Sequence, residues 1–357
     1  MSAAPAIDLE DTDGLLAADR DGLLRAASSA GAQMRAIAAA VDEGALDSLV
    51  GGERPRSVIW VSARGTAETA GSILATTLGG SASAPIVLTG GAPPWVGPLD
   101  VLIVAGDDPG DPALVGAAAT GVRRGARVLV VAPYEGPLRD CTAGRAAVLA
   151  PRLWVPGEFG LCRYLGAGLA ALRIVDPRAT VELGALADEL DAETLRNSAS
   201  RELFTNPAKT IAARMAGRRV ALAGDCAPTL ALARHGSAVL LRVAHEIVAA
   251  SGLADAVAAL RAPAAGSSVD SLFHDEEIDG PLPDRLRVLA LALADERTVV
   301  AARVAGLDDV DLLAAQDVPD VPGEPSRPAG AGATEQQLAI LAVRLEMAAV
   351  YLRLVRG

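Results

Sequence analysis

The chain has 357 residues, of which 51% are hydrophobic and 3% aromatic, and its formal net charge is −12. This length exceeds the usual size of one domain, so we expect two domains. The acidic balance argues against nucleic acid as a partner, because nucleic-acid binding requires a basic surface. No uncharged apolar run reaches the roughly 20 residues of a membrane helix, so no membrane partner is expected.

The cysteines indicate neither a disulfide framework nor a metal site. Cys141, Cys162 and Cys226 are three in number and widely spaced, which fits no zinc motif. The acidic N-terminus lacks the pattern of a signal peptide. We therefore expect a cytoplasmic protein that uses no metal and no cofactor.

The first half of the chain alternates apolar runs with helical segments. Residues 1–50 are predicted as N-terminal helices and residues 51–175 as a first domain. The predicted strands are Ser57–Ser62, Pro85–Leu88, Val101–Ala105, Arg127–Val131 and Ala146–Ala150. The predicted helices are Gly65–Leu78, Ala113–Arg124 and Glu158–Ile174. This alternation is typical of a parallel sheet.

The second half repeats the plan. Residues 176–217 are predicted as a helical connection and residues 218–316 as a second domain. Its predicted elements are strand Arg219–Ala223, a helix through Arg234 to Ala250, strand Val288–Leu293 and helix Thr298–Val304. The predicted fold class is therefore α/β, with two tandem doubly wound parallel sheets of the flavodoxin-like type.

The chain is predicted to finish with a Pro/Gly-rich linker at residues 317–333 and a C-terminal helix at residues 334–357. Apolar residues recur along this helix in steps of three and four, at Leu338, Leu341, Leu345, Ala348, Leu352 and Val355. Such a stripe is buried in the core or in a dimer interface.

The loop after the predicted strand Val101–Ala105 combines the backbone of an anion site with unsuitable side chains. Loop amides and a helix N-terminus at this end of a parallel strand favour an anion. The loop carries Asp107, Asp108 and Asp111, and carboxylates only accept hydrogen bonds at neutral pH. The backbone thus fits a phosphate, whereas the side chains repel one.

The loop after the first strand is better suited to an anion. Ser62, Arg64, Gly65 and Thr66 place hydroxyls and a guanidinium at the start of the next helix, where Arg64 could hold an anion. Alternatively, Thr66 is the N-cap of that helix and has no ligand. The sequence leaves both possibilities open.

Several segments resemble a known family. Asn206–Ala212 (Asn-Pro-Ala-Lys-Thr-Ile-Ala), Gly217–Val220 and Val350–Leu352 are similar to parts of the bifunctional phosphoglucose/phosphomannose isomerases, which consist of two tandem sugar isomerase (SIS) domains. The resemblance extends over nearly the whole chain. It implies SIS-type domains, a sugar phosphate or related small metabolite as ligand, and a homodimer that buries the terminal helix.

In that family a hydroxyl-rich loop holds the substrate's phosphate. Aligned without gaps, its hydroxyl residues fall on Gly106, Asp108, Asp111 and Leu114, none of which has a hydroxyl. A carboxylate ~4 Å from a phosphate dianion costs several kcal/mol at an effective dielectric constant near 20. The helix dipole offsets ~1–2 kcal/mol at most, so phosphate binding at this loop should be weak.

Two further family roles fall on arginine and glutamate. Arg163, displaced by one residue, corresponds to the family's active-site arginine, and Arg234 matches an arginine of the second domain. Leu241 stands where the family has the glutamate that moves a proton between two substrate carbons. Glu246 could replace it, but on a continued helix it would point about 140° away.

The family's remaining roles belong to a histidine and a lysine. Phe273–Gly280, which contains His274, resembles the histidine segment that assists ring opening, with one residue added. In the family's dimers this histidine reaches the neighbouring site, which predicts His274 of one protomer beside Arg163 of the other. The family's lysine lies beyond the closing helix and has no counterpart in this chain.

Two functions follow as alternatives. The first is an aldose–ketose isomerase with Glu246, His274 and Arg163 as catalytic residues. The second is a non-catalytic protein that binds a metabolite and regulates a partner. The resemblance favours the first, and the altered loop, glutamate and lysine favour the second. A dinucleotide oxidoreductase is disfavoured, because Val61–Thr66 lacks the three-glycine fingerprint.

Overall fold

The computed structural model describes residues 7–50, 53–176, 182–262, 286–317 and 332–356. The predicted N-terminal helices are confirmed and are three in the described part: α1 (Thr12–Ala18), α2 (Leu23–Ala27) and α3 (Ala30–Asp42). Asp11 caps α1 by accepting the Gly14 amide at 2.9 Å. The buried side of α3 packs against helices that follow the first sheet.

Five parallel strands form the first sheet, in the order β2-β1-β3-β4-β5. They are β1 (Ser57–Val61), β2 (Ile86–Thr89), β3 (Asp100–Ala105), β4 (Arg127–Val131) and β5 (Ala147–Val148). The predicted strands are confirmed, with ends that shift by one or two residues. Alternate residues of β1 enter different apolar clusters, Val58 and Trp60 on one face and Ile59 and Val61 on the other, so both faces of the sheet are covered.

Four helices accompany this sheet: α4 (Gly65–Leu78), α5 (Pro112–Arg123), α6 (Gly136–Thr142) and α7 (Leu161–Val175). The predicted bounds of α4 are confirmed, whereas the sequence did not predict α6. The helix predicted from Glu158 begins later, because Gly157–Phe159 form a 3₁₀ turn.

The second sheet has four parallel strands in the order β7-β6-β8-β9. In chain order, the elements of this half are α8 (Leu183–Arg196), α9 (Pro207–Met215), β6 (Arg219–Gly224), α10 (Ala227–Ala244), β7 (Ala249–Gly252), α11 (Leu253–Arg261), β8 (Leu286–Ala292), α12 (Arg297–Val304), β9 (Val310–Ala314) and α13 (Thr334–Arg356). The predicted α/β class with two parallel sheets is confirmed.

The helix predicted to continue to Ala250 is too long. It ends at Ala244, because His245 adopts a left-handed conformation with φ of 56°, which interrupts a right-handed helix. Ala249–Gly252 instead form β7, which pairs in parallel with β6. The small residues of this strand lack the β-branched or aromatic side chains that indicate a strand.

The C-terminal helix α13 is buried on almost every side. Its buried residues include the predicted stripe up to Leu352 and also Arg344 and Glu346. It packs against α10, α9 and α8 and against the N-terminal α2. One chain therefore buries the stripe by itself, which corrects the expectation that a dimer interface covers it.

Candidate functional site

The loops after β1 and β3 lie side by side at the carboxyl edge of the first sheet. The strand order changes direction between β1 and β3, and such a switch point opens a ligand crevice. Arg64 Nη2 lies 3.8 Å from Asp111 Oδ2 and 4.0 Å from Asp108 Oδ2. The fold thus brings three of the predicted binding residues together.

The carboxylates of the β3 loop accept the loop's own amides. Asp111 Oδ1 accepts the Ala113 amide at 2.8 Å and caps α5. Asp108 Oδ1 accepts the Gly110 amide at 2.8 Å. The donors that a phosphate would use are therefore already bonded to negative groups, which agrees with the repulsion expected at this loop.

Gly106, predicted to contact substrate, has a packing role. A Cβ at this position would lie 2.6 Å from Leu114 Cδ1, so the end of β3 can approach α5 only with glycine. Leu114 is itself buried. Apolar packing therefore occupies two positions at which the resemblance places hydroxyl groups.

Arg163 lies at the same edge, but its charge is balanced within the chain. Arg163 Nη2 and the Tyr164 hydroxyl donate to Asp107 Oδ1 at 2.5 and 2.6 Å. The guanidinium also lies over the Tyr164 ring, 4.4 Å from its centroid. Burial raises the pKa of the Tyr164 hydroxyl well above its usual range, so that hydroxyl stays a donor.

A cavity of about 190 Å³ lies between the N-terminus of α4 and the side of α10. We call it the α4–α10 cavity. Gly65 and Thr66 line it from the first half of the chain and Arg234 from the second. Three of the predicted binding residues, from segments far apart in the sequence, thus share one cavity.

The first turn of α4 has no side-chain cap. Arg64 is the N-cap residue and makes no capping hydrogen bond through its side chain. Thr66 Oγ1 instead donates to the Gly157 carbonyl at 3.0 Å. The alternative in which Thr66 is the N-cap is therefore wrong, and the first turn of α4 lines the cavity without a side-chain cap, with Glu68 as its one acidic residue.

The sequence analysis missed most of the residues that line the cavity, among them three whose side chains form ion pairs or hydrogen bonds. Arg242 and His235 line the cavity from α10, and Glu158 lines it from the turn before α7. Glu158 Oε1 lies 2.5 Å from Arg242 Nη2, an ion pair between the two halves. Arg234, Ala238 and Arg242 follow each other at steps of four along α10, a spacing that could have indicated a shared face.

His235 is bonded to a carboxyl group on the C-terminal helix. Its Nε2 lies 2.8 Å from Glu346 Oε1, and each side chain is only 2% exposed. Burial raises the pKa of Glu346, and the hydrogen bond from His235 opposes this effect only in part. The cavity wall therefore contains a buried imidazole–carboxyl pair.

The proposed substitute for the family's glutamate lies outside the cavity. Glu246 follows the end of α10 and forms an ion pair with Arg356. Leu241 is about half exposed, at 52%. His274 falls outside the described residues. Ser62, whose amide donates to the Thr89 carbonyl at 3.2 Å, ends the first strand and does not line the cavity.

Solved structures share this fold over almost their whole length. A tagatose-6-phosphate ketose/aldose isomerase from Escherichia coli is 14% identical, with a TM-score of 0.61, and the alignment covers 100% of this chain and 95% of that one. The C-terminal domain of a glucosamine-fructose-6-phosphate aminotransferase from Francisella tularensis is 10% identical, with a TM-score of 0.58 and coverage of 94% and 95%.

A candidate phosphosugar isomerase from Clostridium difficile 630 is 12% identical, with a TM-score of 0.63 and coverage of 94% of this chain and 93% of that one. No family profile matches the sequence, and no curated protein matches it. At these identities the likeness establishes the fold alone, an α/β arrangement with two parallel sheets.

Within the described ranges, no helix is long and apolar enough to cross a membrane. The same residues include no group of three or more His, Cys, Asp or Glu side chains that could hold a metal ion.

Proposed function

We propose that this chain binds a sugar phosphate in the α4–α10 cavity and that its aldose–ketose isomerase activity is weak or lost. The observation that carries the proposal is the cavity wall itself. Arg234 and Arg242 project from α10 opposite the uncapped first turn of α4. Arg242 is paired with Glu158, and Glu68 also lines the cavity. Arg234, the Arg242 donors that Glu158 leaves free and the positive end of α4 are the groups that favour a phosphate monoester.

The competing position, the β3 loop, is electrostatically unsuitable. There Asp108 and Asp111 already occupy the loop amides, and Arg64 lies close to both carboxylates. At about 190 Å³, the cavity is smaller than the roughly 300–1,000 Å³ of typical ligand pockets. This volume favours a small ligand such as a sugar phosphate over a nucleotide.

Isomerisation through Glu246, His274 and Arg163 is the second candidate. The solved isomerases of this fold favour it by analogy only. Against it, Glu246 is paired with Arg356, Arg163 is neutralised by Asp107, and Leu241 stands at the glutamate position. A binding protein that regulates a partner fits these residues better.

The test is a titration of glucose 6-phosphate and fructose 6-phosphate, followed through the ligand's phosphorus NMR signal. We expect dissociation constants in the millimolar range, about −4 kcal/mol. Arg234→Gln and Arg242→Gln should each weaken binding roughly tenfold, because each removes a charged hydrogen-bond donor. Arg261→Gln is the matched control, since Arg261 is exposed at the end of α11 and outside the cavity lining.

A further variant distinguishes the two positions. Asp111→Asn removes a charge at the β3 loop but keeps an N-cap, because asparagine caps as well as aspartate. If the ligand lies in the α4–α10 cavity, this variant leaves the affinity almost unchanged. Tighter binding in Asp111→Asn, together with unchanged binding in Arg234→Gln and Arg242→Gln, would place the ligand at the β3 loop and refute the proposal.

A further inference from the structure

His235 and Glu346 form a hydrogen-bonded pair at the cavity. The proposed binding of a sugar phosphate does not require this pair. The imidazole lines the α4–α10 cavity, while its Nε2 is bonded to Glu346 on α13, on the core side. Of the chain's three histidines, His245 caps the exposed end of α10 and His274 lies outside the described residues. His235 is thus the one histidine that the described structure places at the cavity.

Packing between helices does not by itself account for this pair. Both side chains are 2% exposed, and burying an ionisable pair is often no more favourable than packing apolar residues of similar volume. The neighbouring contacts between α10 and α13 are apolar, as between Gly236 and Leu345, where a Cβ would lie 3.0 Å from Leu345 Cδ1. An apolar pair at these positions would join the two helices equally well.

We propose that His235, oriented by Glu346, is the acid–base group of the α4–α10 cavity and exchanges the proton on the carbon beside the carbonyl of a bound sugar phosphate. This inference rests on the proposed function, because it needs the ligand in that cavity. His235 is then the catalytic residue, and Glu346, which acts through it, is a positioning residue.

The geometry assigns each group a part. In the tautomer that donates Nε2–H to Glu346, Nδ1 carries the lone pair that can take a proton. In this tautomer the Glu346 carboxylate accepts Nε2–H at 2.8 Å and stabilises the imidazolium that forms. Glu346 on α13 is bonded to the imidazole. The other charged residues that line the cavity are Glu68 on α4, Glu158 before α7, and Arg234 and Arg242 on α10.

The step balances without any further reactant. Nδ1 takes the proton from the carbon, the electron pair of that C–H bond forms the C=C bond of an enediolate, and the carbonyl π pair moves onto the oxygen. The imidazolium exchanges its proton with water and returns one to the same carbon. Because Leu241 stands where the family has the glutamate that moves a proton between two carbons, exchange with solvent is expected in place of efficient isomerisation.

The experiment is proton NMR of fructose 6-phosphate in D₂O with the full chain. We expect loss of the C1 proton signals faster than in protein-free buffer. His235→Gln should lower the exchange rate at least about a hundredfold, as loss of a general base does. Glu346→Gln should lower it roughly 10- to 100-fold, as for other residues that orient a histidine, while the dissociation constant of fructose 6-phosphate stays unchanged.

Controls separate catalysis from folding. His245→Asn changes a histidine outside the cavity and keeps a residue that tolerates the left-handed conformation, so its exchange rate should equal that of the unmodified chain. The double variant His235→Gln/Glu346→Gln should exchange no more slowly than His235→Gln alone, because the two act as one unit. Circular dichroism establishes that each variant is folded.

Each outcome decides one of the two proposals. Binding without exchange in the unmodified chain, or exchange that persists in folded His235→Gln, overturns the inference and leaves the proposed function standing. Failure of fructose 6-phosphate to bind at millimolar concentration overturns the proposed function. Equal effects of Glu346→Gln on exchange and on binding assign that residue a structural role and remove it from the acid–base pair.

Discussion

Several carboxylates near the first sheet accept hydrogen bonds from the same chain or pair with its arginines. Asp111 caps α5, Asp107 holds Arg163 and Tyr164, and Glu158 pairs with Arg242. A carboxylate at a helix N-terminus satisfies the amides that a phosphate would otherwise bind. These carboxylates therefore stabilise the first half of the chain. They also make the β3 loop unsuitable for the phosphate that the resemblance implied.

Glu246 is the residue at which the isomerase hypothesis can be tested directly. Because it is paired with Arg356 outside the cavity, we expect Glu246→Gln to leave any conversion of fructose 6-phosphate to glucose 6-phosphate unchanged within about twofold. A general base typically contributes 10²–10⁴-fold, so a coupled dehydrogenase assay resolves the alternatives. Rapid turnover that disappears in Glu246→Gln would restore this glutamate as the base.

At the scale of elements, one buried ion pair ties α8 to α13 and to the end of β9. Arg344 Nε and Nη2 bond to the two Glu193 oxygens at 2.5 and 3.1 Å. Nη1 and Nη2 also donate to the carbonyls of Ala314 and Ala315, each at 2.8 Å. Each nitrogen of the Arg344 guanidinium therefore has an acceptor. These hydrogen bonds offset the free-energy cost of burying its charge.

This pair predicts an asymmetric mutational response. Glu193→Gln should lower the free energy of unfolding by roughly 3–5 kcal/mol, because it leaves the Arg344 charge buried without its partner. The double variant Glu193→Gln/Arg344→Met should lose less than Glu193→Gln alone. Urea unfolding of the unmodified chain, Glu193→Gln, Arg344→Met and the double variant measures these losses. Additive losses in the double-mutant cycle would contradict a direct coupling.

The whole molecule is organised around α13. This helix contacts α8 and α9, which precede the second sheet in the chain, and α10, which packs on that sheet. It also contacts α2 near the N-terminus. Its central residues are buried on all sides. α13 therefore fills the core between these helices.

Leu345→Glu tests this arrangement. Leu345 is 1% exposed, and an unpaired charge at such a position costs more than most domains can lose. We expect an unfolded or aggregated chain, measured by circular dichroism and light scattering. The same light-scattering measurement on the unmodified chain tests the predicted homodimer, since a monomer at micromolar concentration would contradict it. A folded Leu345→Glu monomer would instead mean that α13 is an interface helix.

The central strands β1, β3 and β4 were predictable because they are buried on both faces, which gives each a continuous apolar run. The length of α4 followed from its bounding turn and apolar spacing. By contrast, β7 consists of small residues, so no local preference distinguished it from the end of a helix. The stripe on α13 was also predictable, but its burial within one chain was not, because periodicity does not identify what covers a face.

The sequence by itself determined the class of fold, the order of most elements and the conflict between the β3 loop and a phosphate, since these depend on local pattern and on side-chain charge. Only the tertiary structure decided which residues share a site. Thr66, Arg234 and Arg242 meet in one cavity, and His235 finds Glu346, 111 positions away. Contacts at such separation depend on how helices pack, and helix packing is set by the summed burial of many apolar residues. The physical reason is that each side chain's chemistry can be read from its residue type, whereas the distance between two side chains depends on how the whole core packs.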